Sequence, residues 1–111
     1  TGAGDTFNAA TPEGAAKVLD TSKPVAGRAA TAIATDIDRT STEAGVYPIV
    51  LASYQIACQA PAKDAALVKA WLTYVASPEG QSAAGDSAGS APLTADFGKK
   101  VQAAIETIKA S

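Results

Sequence analysis

The segment "VYPIVLASYQIAC", residues 46–58, is the main evidence in the sequence for the predicted fold. Its residues are mostly β-branched, aromatic or otherwise apolar and form a nearly continuous run, whereas a strand with one face in water alternates apolar and polar residues. The run predicts a buried strand of a parallel or mixed sheet, in which Ser53, Tyr54 and Cys58 serve packing and strand hydrogen bonding. Pro48 has no N–H to donate, so we expect it at the start of the strand or at a crossing point.

A helix is predicted after this strand, over residues 64–76. Its apolar side chains recur every four residues, at Leu67, Trp71 and Val75. This spacing places them on one face of a helix. We therefore expect an amphipathic helix whose apolar face lies in the core, with an interface as the less favoured role for Trp71.

Two more helices are predicted towards the end of the chain. Ser77 followed by Pro78 is typical of a helix start, and this helix is expected to continue to Ala84. Residues 85–92, "GDSAGSAP", are glycines and small residues that favour a loop. Thr94 is the expected N-cap of the last helix. The apolar stripe of that helix consists of Phe97, Val101, Ile105 and Ile108.

The sequence upstream of residue 46 predicts less regular structure. Thr11 is the expected N-cap of a short helix that begins at Pro12 and ends at Leu19. Residues 32–37 alternate briefly between apolar and polar, which predicts a weak strand within a long surface connection. The predicted fold class is therefore α/β.

Composition excludes several classes of protein. Of the 111 residues 47% are apolar, but many of these are alanine and only 5% are aromatic, so we expect a thin core. The net charge is −2 and the nine Lys and Arg residues are scattered, whereas binding of duplex nucleic acid normally needs a clustered basic surface. We expect no nucleic-acid partner.

The lack of histidine and the single cysteine, Cys58, remove most catalytic and metal-binding arrangements. The usual zinc sites, the Ser/His/Asp and Cys/His catalytic groups and any disulfide within the chain need residues that are missing. The longest apolar run is shorter than the roughly 20 residues of a membrane span, and no signal peptide is recognisable. We expect no enzymatic activity, no cofactor and no metal.

Two segments have both a functional and a structural interpretation. In "GAGDTF", residues 2–7, Gly4 lets the backbone approach a phosphate and Thr6 can donate its hydroxyl. No Lys follows and the neighbouring Asp would repel an anion, which favours a flexible turn. The acidic loop with Asp36, Asp38 and Glu43 offers oxygen ligands for a hard cation. Its spacing matches no EF-hand loop, which favours a solvated loop.

Three blocks of the sequence resemble the phosphate-binding protein of phosphate ABC transporters, in versions typical of high-GC Gram-positive bacteria. The blocks are "YPIVLASYQIAC" (47–58), "LVKAWLTYVASPEGQSAA" (67–84) and "AGSAPLTADFGKKVQAAIETI" (88–108). Their signature elements are the "YPI" strand start, the "SPEGQ" after the helix and the "APLT" turn. Residues 3–19, "AGDTFNAATPEGAAKVL", resemble the family's segment that leads through Thr-Pro into a small helix.

The resemblance implies the C-terminal fragment of a two-lobed fold of the type II periplasmic-binding-protein class. Residues 1–46 would belong to the second lobe, and residues 47–111 would cross the hinge at Tyr47 and Pro48 and pack on the first lobe. Missing partner strands would leave apolar surface for the rest of the parent protein or a second copy to cover.

The resemblance also implies a function in phosphate uptake. Such proteins capture inorganic phosphate outside the cytoplasm for the permease subunits of the transporter, and some carry a lipid anchor on an N-terminal cysteine that this sequence lacks. The family holds phosphate with backbone N–H groups, hydroxyls, an Arg and an Asp. Those contacts come from upstream segments, so this segment is expected to be scaffold and hinge. The alternative is a self-contained structural or protein-interaction module that uses the helix face around Trp71.

Overall fold

The chain forms helices and one short strand ladder within the residues that the computed structural model describes, 7–60 and 63–109. The helices there are α1 (Pro12–Thr21), α2 (Ala65–Val75), α3 (Pro78–Ala88) and α4 (Ala95–Glu106), and the strands are β1 (Lys23–Pro24) and β2 (Thr35–Asp36). The mixed α/β class is therefore confirmed. In this part of the chain, no helix combines the length and the apolar character that crossing a bilayer requires.

Three of these helices begin with the side-chain caps that the sequence predicts. In each, a hydroxyl just before the helix accepts a hydrogen bond of 3.1–3.2 Å from the backbone N–H three residues later. The pairs are Thr11 with Gly14, Ser77 with Gly80, and Thr94 with Phe97. Such caps satisfy N–H groups that have no partner inside the helix, and each stabilises its helix by about 1 kcal/mol.

The helix ends differ from the predicted ones. α1 continues two residues beyond Leu19, and α3 continues to Ala88, so the first half of the predicted loop over residues 85–92 is helical. The reason is Gly89, which has a φ of 66° and donates its N–H to the carbonyl of Gly85. A left-handed residue ends a helix, and glycine adopts that conformation without steric cost.

The predicted strand over residues 46–58 is wrong. Val46 and Pro48 are buried, and the Tyr47 N–H donates to the carbonyl of Gly14 in α1 at 3.0 Å. Beyond Pro48 the chain forms neither strand nor helix up to residue 60, and Cys58 is exposed rather than packed. The physical reason is that, among the described residues, no strand pairs with this segment, so most of its large apolar side chains stay exposed.

The strand predicted within residues 32–37 is confirmed at β2. Its antiparallel partner, β1, was not expected, and the register places Lys23 opposite Asp36. The Val25 N–H extends the ladder by donating to the carbonyl of Ala34 at 2.9 Å. Pro24 can sit in this ladder because a two-stranded sheet has only edge strands.

Two small groups of buried side chains form the core. The first joins α1 to the residues after Gly45 and consists of Ala16, Val18, Val46 and Pro48. The second lies where α2 packs on α4 and consists of Ala65, Phe97, Ile105 and Ile108. The predicted stripe of α4 is thus confirmed, with Val101 half-buried beside it.

The prediction that the apolar face of α2 lies in the core is wrong. Leu67 is 72% exposed and Trp71 is 58% exposed. The α2 helix is apolar around most of its circumference, and α3 and α4 cover only part of it. Large side chains on the uncovered side therefore face water.

The chain exposes more surface than a compact protein of its mass. Its accessible surface is 7513 Å², whereas the usual scaling gives about 5,600 Å² for this mass. Its radius of gyration is 15.6 Å, against about 13 Å for a compact domain of similar length. The excess exposed area is roughly 1,900 Å² relative to that scaling.

Candidate functional site

An open depression of about 760 Å³ lies between the strand ladder, the turn at residues 38–40 and residues 51–54. Two cationic and two anionic side chains line it together with hydroxyl groups. The charged residues are Lys23, Asp36, Asp38 and Arg39. A concave surface with this mixture of charged and hydroxyl groups is a candidate ligand site.

The turn at residues 38–40 is built around the Asp38 carboxylate. This carboxylate accepts hydrogen bonds from the N–H of Thr40 at 3.0 Å and from its hydroxyl at 2.8 Å. The Asp38 N–H in turn donates to the Ser22 hydroxyl at 3.0 Å, which ties the turn to the end of α1. The hydroxyl of Thr40, followed by its N–H, holds the pKa of Asp38 below its ordinary value, because both bonds favour the ionised form.

Arg39 is committed to structural contacts. Its guanidinium donates to the carbonyls of Pro48 at 3.4 Å and Val50 at 3.1 Å. On the other side of the depression, the Tyr54 hydroxyl accepts from the Thr35 N–H at 3.1 Å and lies 3.4 Å from the Thr35 carbonyl. These contacts hold residues 48–54 against the strand ladder.

The depression does not form a recognisable catalytic arrangement. The Thr40 hydroxyl there donates to the Asp38 carboxylate, and a nucleophile needs such a base beside it. The bonds from Thr40 lower the pKa of Asp38, however, and a lowered pKa makes this carboxylate a weaker base. An anion would meet Asp36 and Asp38 as well as the cations. Among residues 7–60 and 63–109, no three Cys, Asp or Glu side chains lie together as a metal site.

Of the sequence-predicted site residues that the structure describes, Asp36 and Asp38 both line the depression, whereas Glu43 does not. Gly4 and Thr6 lie outside the described residues. Asp36 is in β2 and Asp38 is in the turn, while Glu43 contributes its backbone carbonyl to a hydrogen bond from Asn8 at 2.8 Å. The predicted hinge residues Tyr47 and Pro48 are packed beside α1, and their hinge role stays a prediction.

Asn8 is a contact residue that the sequence reading missed. Its side-chain oxygen accepts from the Gly45 N–H at 3.0 Å, and its amide nitrogen donates to the carbonyls of Glu43 and Val46, each at 2.8 Å. These bonds fix the turn before Val46. They join residues 35 to 38 positions apart, so no local pattern could have revealed them.

Gln81 is a second missed contact residue, and it joins two of the sequence motifs. Its side-chain oxygen accepts from the Leu93 N–H at 3.0 Å, and its amide nitrogen donates to the Val75 carbonyl at 2.8 Å. The last residue of "SPEGQ" thus holds the "APLT" turn against the end of α2. Thr94 of that turn caps α4 and also donates to the Asp20 carboxylate at 2.9 Å.

Two exposed apolar surfaces are further candidates for a functional site. We call residues 49–59 the apolar segment, and its exposed large side chains are Ile49, Leu51, Tyr54 and Ile56. We call the second surface the α2 face, and its exposed side chains are Leu67, Val68, Trp71 and Tyr74. The rings of the last two lie 6.4 Å apart between centroids. Contiguous exposed apolar surface is typical of sites that contact another protein or another part of the same protein.

No protein-family model, curated protein sequence or solved structure matches the chain significantly. Among the described residues, the side-chain contacts of the "SPEGQ" and "APLT" motifs are structural, whereas exposed apolar surfaces are typical of sites that bind another polypeptide.

Proposed function

We propose that this chain is the C-terminal part of an extracytoplasmic, two-lobed phosphate-binding protein of an ABC transporter. In this proposal the chain supplies scaffold and hinge and has no catalytic role. The observation that carries it is the arrangement around Gln81, which joins the "SPEGQ" and "APLT" motifs through bonds to Val75 and Leu93. The residues of the two motifs hold helices together, and this structural role explains why the motifs occur together in a scaffold segment.

The exposed apolar surfaces also support the proposal. A fragment of a larger sheet exposes the side chains that its missing neighbours would cover. The apolar segment has this character, since Leu51 and Ile56 are each 95% exposed. In the complete protein, other strands of the first lobe would cover this segment, and Tyr47 and Pro48 would mark the crossing between lobes.

The proposal places the phosphate contacts upstream of this chain. Inorganic phosphate would be held there between the two lobes, and the permease subunits would receive it from the closed protein. The depression beside β1 and β2 is not part of that site, because Arg39 is already bonded to two carbonyls and Asp38 would repel the ligand.

Calorimetric titration with inorganic phosphate tests the proposal. The longer polypeptide that contains this sequence is expected to bind phosphate tightly, and the 111-residue chain is expected not to bind it. Sulfate serves as the matched anion in both titrations. Tight binding by the 111-residue chain would place the ligand contacts here and refute the scaffold role, and a longer polypeptide that ignores phosphate would refute the function.

A substitution at Gln81 separates a scaffold role from a ligand-binding role. Gln81→Leu removes the bonds to Val75 and Leu93 while keeping a side chain of similar size. In the longer polypeptide we expect a lower thermal midpoint with an unchanged phosphate affinity. An affinity that falls more than tenfold with an unchanged midpoint would show that Gln81 acts at the ligand site.

The exposure of Trp71 favours a second candidate, a protein-interaction module that uses the α2 face. Quenching of tryptophan fluorescence by acrylamide distinguishes the two candidates. Trp71 is the single tryptophan of the 111 residues, and in the longer polypeptide its signal is isolated by subtracting that of the Trp71→Phe variant. If the chain is a fragment, Trp71 is quenched readily in the 111-residue chain and is protected in the longer polypeptide. Equal quenching in both would favour an α2 face that stays free for a separate partner.

A further inference from the structure

The backbone of the apolar segment has the hydrogen-bonding state of an unpaired strand edge. Among the described residues, no backbone N–H between residues 49 and 59 donates to a protein acceptor. The carbonyl of Val50 accepts from Arg39, and it is an exception on the acceptor side. A row of unpaired backbone groups is a template for pairing with another strand.

The side chains of the apolar segment favour the same pairing. Residues 49–59, "IVLASYQIACQ", contain no charge, no proline and no glycine, and they are rich in residues that favour strands. Segments with these properties are the ones that pair between chains. Because the segment is uncharged, two copies can approach without electrostatic repulsion.

The chain as a whole exposes enough area for an interface of standard size. Its excess over the scaling for its mass is roughly 1,900 Å², and a standard protein interface takes about 800 Å² from each partner. The apolar segment contributes four large exposed side chains to this area. A two-fold symmetric dimer uses the same surface on both copies, and a strand paired with itself across a two-fold axis runs antiparallel.

We propose that the apolar segment of this chain pairs antiparallel with the same segment of a second copy. The two segments form a ladder across the two-fold axis. Leu51 and Ile56 lie on opposite faces of this ladder, because successive side chains of a strand alternate, and each packs beside side chains of the second copy on its own face. This inference concerns the 111-residue chain and does not depend on the proposed function. In a longer polypeptide, a strand of the same molecule would compete for the same edge.

Light scattering after size-exclusion chromatography, over a range of protein concentrations, tests the dimer. The unaltered chain is expected to elute with twice the monomer mass of 11.0 kDa. Leu51→Lys and Ile56→Lys are expected to elute as monomers with unchanged circular dichroism, because both side chains are 95% exposed within one copy. Leu67→Lys is the matched control on the α2 face and is expected to stay dimeric.

Three results would overturn the proposal. The first is a monomeric unaltered chain at the highest concentration. The second is a dimer that Leu67→Lys dissociates while Leu51→Lys and Ile56→Lys do not, since that would place the interface on the α2 face. The third is a broad series of larger species, since a two-fold pairing closes at two copies.

Hydrogen exchange distinguishes a strand ladder from side-chain contact alone. Alternate amides of residues 49–59, those that face the second copy, are expected to exchange at least tenfold more slowly at concentrations where the dimer forms than in the Ile56→Lys monomer. The amides of α4 act as the internal reference, because their bonds lie within one copy. A dimer whose segment amides exchange as fast as in the monomer would contradict the ladder.

Discussion

Residues 46–48 and residues 49–59 belong to one apolar run of the sequence, yet they have opposite environments. Val46 is 1% exposed and Pro48 is fully buried, whereas Leu51 and Ile56, a few residues later, are almost fully exposed. Both parts are apolar, so the difference in burial comes from the element that each part contacts. Residues 46–48 pack against α1, whereas the following residues are held to β2 and to the turn at residues 38–40 by a few hydrogen bonds and leave most of their large apolar side chains exposed.

The contact with α1 depends on Gly14. The Tyr47 N–H donates to the Gly14 carbonyl at 3.0 Å, and a Cβ on Gly14 would lie 3.2 Å from the Gly45 carbonyl oxygen and 3.4 Å from the Tyr47 Cβ. The missing side chain of glycine thus lets the two backbones approach. An apolar run therefore predicts only that its side chains need burial, and the neighbouring element determines which of them are buried.

The largest expected effect comes from placing a charge in the buried part of the run. Val46→Asp puts a carboxylate at a position that is almost free of water, and we expect a loss of at least about 4 kcal/mol in the free energy of unfolding. Urea unfolding followed by circular dichroism measures this loss. Ile56→Asp is the matched change in the exposed part, and in dilute solution we expect a change within about 0.5 kcal/mol. Similar losses for both would show that residues 49–59 are buried after all.

The contrast between these two parts also explains what the sequence could and could not predict. Local signals were sufficient for the helix starts, because a hydroxyl such as that of Thr11 caps the N–H three residues ahead. Periodicity was sufficient for the buried stripe of α4. The strand over residues 46–58 failed because a strand needs a partner, and the pattern of one segment does not reveal whether a partner exists.

The contacts around the candidate sites were beyond local reasoning for a related reason. Gln81 reaches Leu93 across 12 positions, and Asn8 reaches Val46 across 38 positions. Such bonds arise from the tertiary arrangement and leave no periodic signal. The motif resemblance drew attention to Gln81 as part of "SPEGQ", but its bonding to "APLT" became visible only in three dimensions.

A smaller effect is expected from filling the gap at Gly14. Gly14→Ala would gain helix propensity, but its Cβ meets the Gly45 carbonyl oxygen and the Thr11 hydroxyl, each at 3.2 Å. We expect a net loss of about 1–2 kcal/mol in the free energy of unfolding, because the backbone of residues 45–47 must shift. Urea midpoints measure this loss.

Gly98→Ala is the control of opposite sign. Gly98 lies in α4, and an added Cβ there meets nothing within 4 Å. We expect this change to stabilise the chain by about 0.5–1 kcal/mol, since alanine favours a helix interior over glycine. If both substitutions stabilise the chain, the close approach of α1 to residues 45–47 is looser than described.

The hydrogen bond between Tyr54 and Thr35, which holds residues 49–59 against β2, should contribute less to the free energy of unfolding. Tyr54→Phe removes the hydroxyl that accepts from the Thr35 N–H, and we expect a loss of about 0.5–1 kcal/mol because the bond is exposed. Tyr74→Phe is the control, since the Tyr74 hydroxyl has no hydrogen-bond partner among the described residues. It is expected to change the urea midpoint by less than the measurement error. Equal effects would indicate that the Tyr54 bond does not hold residues 49–59 against β2.

The smallest expected effect is a pH dependence that originates at Asp38, whose turn positions Arg39 at the boundary between the two parts. Because its pKa is lowered in the folded chain, the folded state binds a proton less readily than the unfolded state. The stabilisation is complete above the ordinary pKa of 3.8 and is lost as the pH falls through the lower folded-state value. Asp38→Asn should therefore lose less stability than the unaltered chain when the pH is lowered through this range.

Thr40→Val separates the two bonds that lower this pKa. The substitution removes the hydroxyl, which has the larger influence, and keeps the backbone N–H that also donates to Asp38. We expect the pKa of Asp38, followed by NMR of its carboxyl carbon, to rise part of the way to the ordinary value. An unchanged pKa would mean that the backbone N–H alone holds the turn, and that the hydroxyl bond contributes nothing to the position of Arg39.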